Sequence, residues 1–216
     1  MGSQSPYDEG VINAIGAYIF IICLLAVVRH RPSMARFEER LDESSPVLMF
    51  GLLGGAVYLV AYKFGMWSGE SASSSWPVFI FAGLNLWMHE AGHFFFAWGP
   101  PLLHSLGGTV LELGVPAGLG LFAFMRGLPR SLGLCLLWCA FNLFGVATYM
   151  GDAALRQLPL LGGEGPESHD WWNIFSILGV LPHHEPIAAA TAGLGCGAAV
   201  LGVLAYVFAR RLTREP

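Results

Sequence analysis

Two histidines and a glutamate interrupt an apolar run of the sequence, LNLWMHEAGHFFFAW at 84–98. His89 and His93 are four residues apart, so on a helix they lie on one face and both imidazoles can reach a single metal ion. Glu90 follows the first histidine and is placed to take a proton from a water molecule that the metal activates. Ionisable side chains at membrane depth cost about 3 kcal/mol each or more and usually have a function. The H-E-x-x-H pattern therefore predicts a zinc site with a catalytic glutamate.

The composition is that of an integral membrane protein. The chain of 216 residues is 55% hydrophobic and 12% charged, whereas roughly 25% of the residues of a soluble domain are charged. Long apolar runs recur along it, which indicates several transmembrane helices. We predict an all-α fold of five to six transmembrane helices in a single domain, residues 1–216, in a cell membrane, the inner membrane of a bacterium. The predicted spans are 11–28, 46–64, 76–98, 131–150 and 187–209.

The segment 102–125 has two interpretations. It follows the helix breakers GPP and contains SLGGTVLELGVPAGLG, in which glycine and proline interrupt the apolar pattern. It is either a sixth spanning helix or a re-entrant segment buried against protein. With five spans most of the arginines fall on one side of the membrane, so the positive-inside bias favours the re-entrant segment. The long loop 151–186 is expected to fold back on the membrane.

Two histidines still need a third ligand to hold a metal ion. His169 and Asp170 in the sequence ESHDWW are candidates, and Asp170 could instead orient His169 as a partner of a metal ligand. The alternative is a solvated loop anchored by its two tryptophans. His104 is a weaker candidate for the wall of the same pocket. All four cysteines lie in apolar helices and are predicted to pack rather than bind metal.

A family resemblance adds a further candidate. The H-E-x-x-H in a membrane helix, the glycine-rich segment after it and a helix ending in aspartate resemble the site-2-type intramembrane zinc metalloproteases, over Trp76 to Leu155. In that family the third ligand is an aspartate in the pattern N-x-x-P-x-x-x-L-D-G. The nearest equivalent here, FNLFGVATYMGDA, lacks the proline, has a longer spacing and contains Asn142 and Asp152. The resemblance implies zinc held by His89, His93 and Asp152, and His169 in ESHDWW is a less favoured rival for the third ligand.

Glu112 is a lone acid within GGTVLELGVP. The resemblance implies an extended hairpin at 107–115 that presents a strand edge to an unfolded substrate, which makes Glu112 a candidate substrate-binding residue. The alternative is that Glu112 pairs locally with another side chain, because lipid would not accept its charge.

The leading interpretation is a membrane-embedded zinc-dependent peptidase in which Glu90 is the general base and then the general acid. Its expected partners are a membrane-anchored protein or peptide substrate and the lipid bilayer, and we expect no nucleic acid. One alternative is a non-catalytic membrane accessory or scaffold protein with a structural or vestigial metal site. Another is a zinc hydrolase of lipid amide or ester bonds.

Overall fold

The structure is a computed structural model that describes residues 32–43, 46–68, 76–158 and 168–209. Within these ranges the chain is helical and has no strand. The predicted span at 11–28 lies outside the described residues. The α-helices in chain order are α1 (Pro32–Glu43), α2 (Pro46–Trp67), α3 (Trp76–Phe95), α4 (Pro101–Met125), α5 (Pro129–Gly151), α6 (Asp170–Ile177) and α7 (His184–Val207).

Proline and glycine mark the helix boundaries. Helices α1, α2, α4 and α5 each begin at a proline, whose fixed φ suits the first turn and whose missing N–H would have no partner there. Between α4 and α5, Gly127 has a φ of 65°, a backbone conformation that glycine adopts without steric cost. The N–H of Leu128 then donates to the carbonyl of Ala123 at 3.0 Å and closes the end of α4. This tight turn makes α4 and α5 neighbours that run in opposite directions.

Four stretches of the described chain are long and apolar enough to cross a membrane. This supports the predicted all-α membrane protein, whereas the predicted number of five to six spans is not confirmed. Helix α3, at the predicted span 76–98, is not among the four, and it carries the polar residues Asn85, His89, Glu90 and His93 between its middle and its C-terminal end. The four stretches are Met49–Trp67, Pro101–Met125, Pro129–Gly151 and Leu181–Val207.

The segment 102–125 is one continuous helix, so the predicted re-entrant segment is not confirmed. Pro116 lies inside α4 and is buried against the neighbouring helices. Glycine and proline are tolerated in helices of this kind because packed neighbours replace the lost local stabilisation. Since α4 runs the full length between two turns, α5 returns the chain to the end of the bundle where α3 finishes.

Helix α5 forms the centre of the bundle. Its buried residues Leu137, Phe141 and Phe144 share one apolar core with residues of α2, α3 and α7. The backbones of α5 and α7 approach closely at Gly133 and Gly202, where a Cβ on either glycine would lie 2.6 to 2.8 Å from the other's carbonyl oxygen. Small residues at such a crossing allow close van der Waals packing, which drives helix association in membranes.

Helix α1 is joined to the start of α5 by a buried carboxylate. Glu38 accepts hydrogen bonds from the backbone N–H of Arg130 at 2.8 Å and from the N–H and hydroxyl of Ser131 at 2.8 and 2.7 Å. The N-cap residue of α5, Leu128, has a side chain that cannot accept a hydrogen bond, so it does not cap the helix. Glu38 therefore supplies the acceptor that the first turn of α5 needs.

A second apolar cluster anchors α6 to the opposite end of α5. Trp171, Ile174 and Phe175 are buried against Val146 and Met150 of that helix. Part of the long loop 151–186 thus forms a short helix packed on the bundle. This docking carries Asp170, the first residue of α6, to the end of the bundle where α3 also ends.

Candidate metal centre

The two histidines of the H-E-x-x-H pattern lie on one face of α3, close to its C-terminal end. Their ring centroids are 4.9 Å apart. The Nε2 atom of His89 is 3.1 Å and the Nε2 atom of His93 is 3.2 Å from the same oxygen, Oδ2 of Asp170. Two helices that are distant in sequence therefore bring two imidazoles and one carboxylate together.

These three side chains form a group that could bind a metal ion. One ligand atom from each of His89, His93 and Asp170 lies within 4.8 Å of the others. His89 is 8% exposed, and the side chains of His93 and Asp170 are 16% and 14% exposed. The donors are therefore largely shielded from water while one side remains open.

The opposite nitrogen of each imidazole has a fixed partner. Nδ1 of His93 lies 2.9 Å from the backbone carbonyl of His104, which can only accept, so this nitrogen carries the proton. Nδ1 of His89 lies 3.2 Å from Oε2 of Glu112, which accepts in the same way when ionised. Both Nε2 atoms then face the Asp170 carboxylate, as N–H donors when the rings are protonated and as lone pairs when they are neutral. In the metal-free protein a proton can bridge each Nε2 and the carboxylate, and a metal ion could take the place of these protons.

Three glycines allow α3 and α4 to approach closely enough for these contacts. A Cβ on Gly92 would overlap the carbonyl group of Gly107, and one on Gly108 would lie 2.5 to 2.7 Å from the His89 ring. Without side chains at these positions the His89 ring packs directly on the α4 backbone. Glu112, one turn further along α4, then reaches the ring nitrogen.

The histidines and Asp170 lie in the wall of a cavity of about 570 Å³. The charged residues that line it are Lys63, Glu90, Glu112 and Asp170. The Lys63 ammonium lies over the Phe141 ring, 5.2 Å from its centroid. Glu90 is partly exposed in the cavity, and among the described residues its carboxylate forms no hydrogen bond or ion pair. A free carboxylate thus faces the same space as the metal-ligand group.

Asp152 and His169, the two residues predicted to be the third ligand, do not belong to this group. Oδ2 of Asp152 lies 3.4 Å from Nε2 of His169, so the two rival candidates contact each other. Asp152 follows the last turn of α5 and accepts from the backbone N–H of Gln157 and Leu158 at 2.9 and 3.0 Å. His169 is fully buried, and its Nδ1 accepts from the N–H of Trp172 at 3.1 Å. These local contacts occupy both side chains, and neither side chain belongs to the group of His89, His93 and Asp170.

The predicted strand edge at 107–115 is wrong, because these residues lie within α4. Helical N–H and C=O groups bond within their own helix and cannot pair with an extended substrate. Glu112 lines the cavity, and its side chain pairs with His89. This agrees with the alternative prediction that Glu112 pairs with another side chain. Its backbone carbonyl accepts from the side-chain amide of Asn142 at 2.7 Å, which fixes α4 to α5 at this level.

The sequence made Asp170 a candidate third ligand but favoured Asp152 or His169 for that role. It did not single out Tyr149 and Lys63, which also lie at the site. The Tyr149 hydroxyl accepts from the backbone N–H of Asp170 at 3.0 Å and lies 3.5 Å from its Oδ2. Lys63 and Tyr149 are polar residues inside predicted spans. A polar residue at such a position is a signal of function that could have indicated both.

The environment of α6 shifts two ionisation equilibria. Burial acts to raise the pKa of Asp170, but hydrogen bonds and charge from His89 and His93 outweigh it and lower that pKa to about 2. Burial lowers the pKa of His169 despite the nearby Asp152 carboxylate. Asp170 is therefore ionised at neutral pH, as a ligand carboxylate must be.

Comparison with protein-family models, curated proteins and solved structures finds no match for this chain.

Proposed function

We propose that this protein is a membrane-embedded zinc-dependent hydrolase, a peptidase that cleaves a membrane-anchored protein or peptide. The observation that carries the proposal is the convergence of His89, His93 and Asp170 in the wall of a cavity that Glu90 also lines. The four apolar helices support a location in a membrane that the chain crosses several times.

The donor set fits zinc. Two imidazole nitrogens and one carboxylate oxygen match the three protein ligands of catalytic zinc sites, which leave a fourth position open. When bound, zinc would polarise a substrate carbonyl and lower the pKa of water to about 7. The cavity provides the room on the open side that a closed structural site lacks.

The charge of the cavity supports a divalent cation. Its lining includes three carboxylates, on Glu90, Glu112 and Asp170, and the single ammonium group of Lys63. With these groups ionised and the histidines neutral, the lining carries two excess negative charges. In a bundle of apolar helices such an excess needs a counter-charge, which protons on the histidines supply in the metal-free protein and a divalent cation could supply in their place.

Glu90 is the candidate general base. Its side chain lines the same cavity as His89, and no described side chain forms a hydrogen bond or ion pair with its carboxylate. The carboxylate would take a proton from the attacking water and then deliver it to the amine that leaves. General acid–base catalysis of this kind contributes about 10²–10⁴-fold to the rate.

Metal content tests the first half of the proposal. The protein would be purified in detergent and its metals measured by elemental analysis, with His93→Ala as the control. We expect about one zinc per wild-type chain and little in His93→Ala, because two ligands hold zinc much more weakly than three. A wild-type protein without metal would refute the metal centre.

Glu90→Gln tests the catalytic half. The neutral amide has nearly the same size but cannot accept the proton, so we expect zinc to be retained and peptide cleavage to fall by about 10²-fold or more. Cleavage of a library of detergent-solubilised transmembrane peptides would be read by mass spectrometry. Normal cleavage by Glu90→Gln would refute the role of Glu90, and a zinc-loaded wild type without any cleavage would favour the scaffold.

A further inference from the structure

The contact between Asp152 and His169 adjoins the candidate metal centre. His169 is the N-cap of α6, and the next residue is Asp170. Asp152 is the C-cap of α5. The contact therefore joins the end of the central helix to the start of the helix that carries the third ligand.

The two nitrogens of His169 serve two different elements. Nδ1 accepts from the N–H of Trp172 at 3.1 Å, so its lone pair is used and the proton resides on Nε2. Nε2 lies 3.4 Å from Oδ2 of Asp152, an ion-pair distance without hydrogen-bond geometry. The same ring packs against Tyr149, with the centroids 4.3 Å apart. Because His169 is fully buried, these contacts leave the ring little freedom to rotate.

The backbone on both sides of this contact is also tied down. Asp152 accepts from the N–H groups of Gln157 and Leu158, so its carboxylate is oriented by the turn that follows α5. The Tyr149 hydroxyl accepts from the N–H of Asp170 at 3.0 Å. The peptide between His169 and Asp170 is thus held from two sides by residues near the end of α5.

We infer that Asp152 and His169 are positioning residues that hold Asp170 at the correct place and angle for metal binding. The inference rests on the proposed metal centre. Metal ligands must lie within about 0.2 Å of their ideal distances, and the groups that orient them typically contribute about 10–100-fold in metal affinity. Here Asp152 and His169 would orient the Asp170 carboxylate indirectly, by fixing the backbone at the start of α6.

The rest of α6 does not depend on this contact. Trp171, Ile174 and Phe175 are buried in an apolar cluster with α5. Loss of the contact between Asp152 and His169 should therefore leave α6 docked while its first turn gains freedom. Stability and metal binding can then be separated by experiment.

The test uses His169→Asn and Asp152→Asn in the full chain. Asparagine is among the best N-cap residues, so His169→Asn keeps an acceptor for the start of α6 but is too short to reach Asp152. Asp152→Asn keeps one of the two acceptor oxygens that the following turn uses and removes the charge. Zinc affinity would be measured by competition with a chelator. The visible spectrum of the cobalt-substituted protein would report the geometry of the ligands.

We expect each variant to bind zinc about 10–100-fold more weakly than the wild type and to show an altered cobalt spectrum, with helix content unchanged. Glu38→Gln is the matched control, because it disturbs another buried carboxylate that caps a helix, at the opposite end of α5. It should lower the thermal midpoint but leave zinc affinity and the cobalt spectrum as in the wild type.

Asp170→Ala separates this inference from the proposed function. If Asp170→Ala loses zinc while His169→Asn and Asp152→Asn keep wild-type affinity and spectrum, the positioning role is refuted and the metal centre stands. If Asp170→Ala binds zinc as tightly as the wild type, the metal centre itself is wrong. If Glu38→Gln weakens zinc binding as much as the two variants, general destabilisation explains the effect and the inference fails.

Discussion

Replacing Gly108 by alanine would add one methyl group between α4 and the first histidine of the H-E-x-x-H pattern. The new Cβ would lie 2.5 to 2.7 Å from Nε2, Cδ2 and Cε1 of His89. The atom that it meets first is the nitrogen proposed as a metal ligand. The substitution therefore tests the geometry of the site without changing any proposed ligand.

The size of the effect follows from these distances. Ordinary van der Waals contact begins at 3.4 Å, so the ring or α4 must move by about 1 Å. Zinc–nitrogen bonds of about 2.0–2.1 Å tolerate about 0.2 Å, so such a shift is several times too large. We expect zinc affinity to fall by about 100-fold or more. The cost in stability is smaller, because overpacking of about 1–3 kcal/mol is partly offset by the gain of about 1 kcal/mol when alanine replaces glycine in a helix.

Gly114→Ala is the matched control on the same helix. A Cβ at Gly114 has no neighbouring atom within 4 Å, so this variant should bind zinc as the wild type does and be up to about 1 kcal/mol more stable. Zinc affinity from chelator competition and thermal unfolding in detergent would be measured for both variants. Wild-type zinc affinity in Gly108→Ala would refute the reasoning. It would show that zinc is not bound through Nε2 of a His89 ring packed against Gly108.

Two further predictions concern single carboxylates. Glu38→Ala leaves the buried N–H groups of Arg130 and Ser131 without their acceptor, so we expect a loss of about 2–4 kcal/mol of stability by detergent-based unfolding, and a variant as stable as the wild type would contradict the capping role. In the metal-free protein, the pKa of Asp170 is lowered from 3.8 to about 2, so its contribution to stability is complete above pH 3.8 and is lost as the pH falls toward 2. The difference in thermal midpoint between wild type and Asp170→Asn should therefore shrink across that interval, and a constant difference would show that the ionised carboxylate does not interact with the histidines.

Local features of the site could be predicted from the sequence because they depend on helix periodicity. His89 and His93 lie on one face of α3, with rings 4.9 Å apart, as a spacing of four residues requires. The apolar character of the spanning helices could also be predicted, since it depends on composition over about 20 residues. Even there, α3 is not among the four described helices that are apolar enough to cross a membrane, and it carries the polar groups of the site.

The sequence did not predict whether residues 102–125 form a continuous helix or a re-entrant segment. Glycines and Pro116 in this segment indicated a broken chain, and the distribution of arginines favoured a re-entrant segment. In the structure these small residues lie in a continuous helix, where Gly107 and Gly108 permit close packing on α3. A glycine that breaks an isolated helix and a glycine that packs two helices together have the same sequence signal.

The sequence by itself determined the membrane character of the chain and the pairing of two imidazoles with a neighbouring carboxylate, because each depends on residues less than one helix apart. Only the tertiary structure decided the third member of the candidate metal-ligand group. Asp170 lies 81 residues from His89 in the chain, and its approach depends on the return of α5 to the site and on the docking of α6. Asp152, His169 and Asp170 have similar metal-binding chemistry, and only packing and backbone hydrogen bonds direct one of them to the histidines while the other two contact each other.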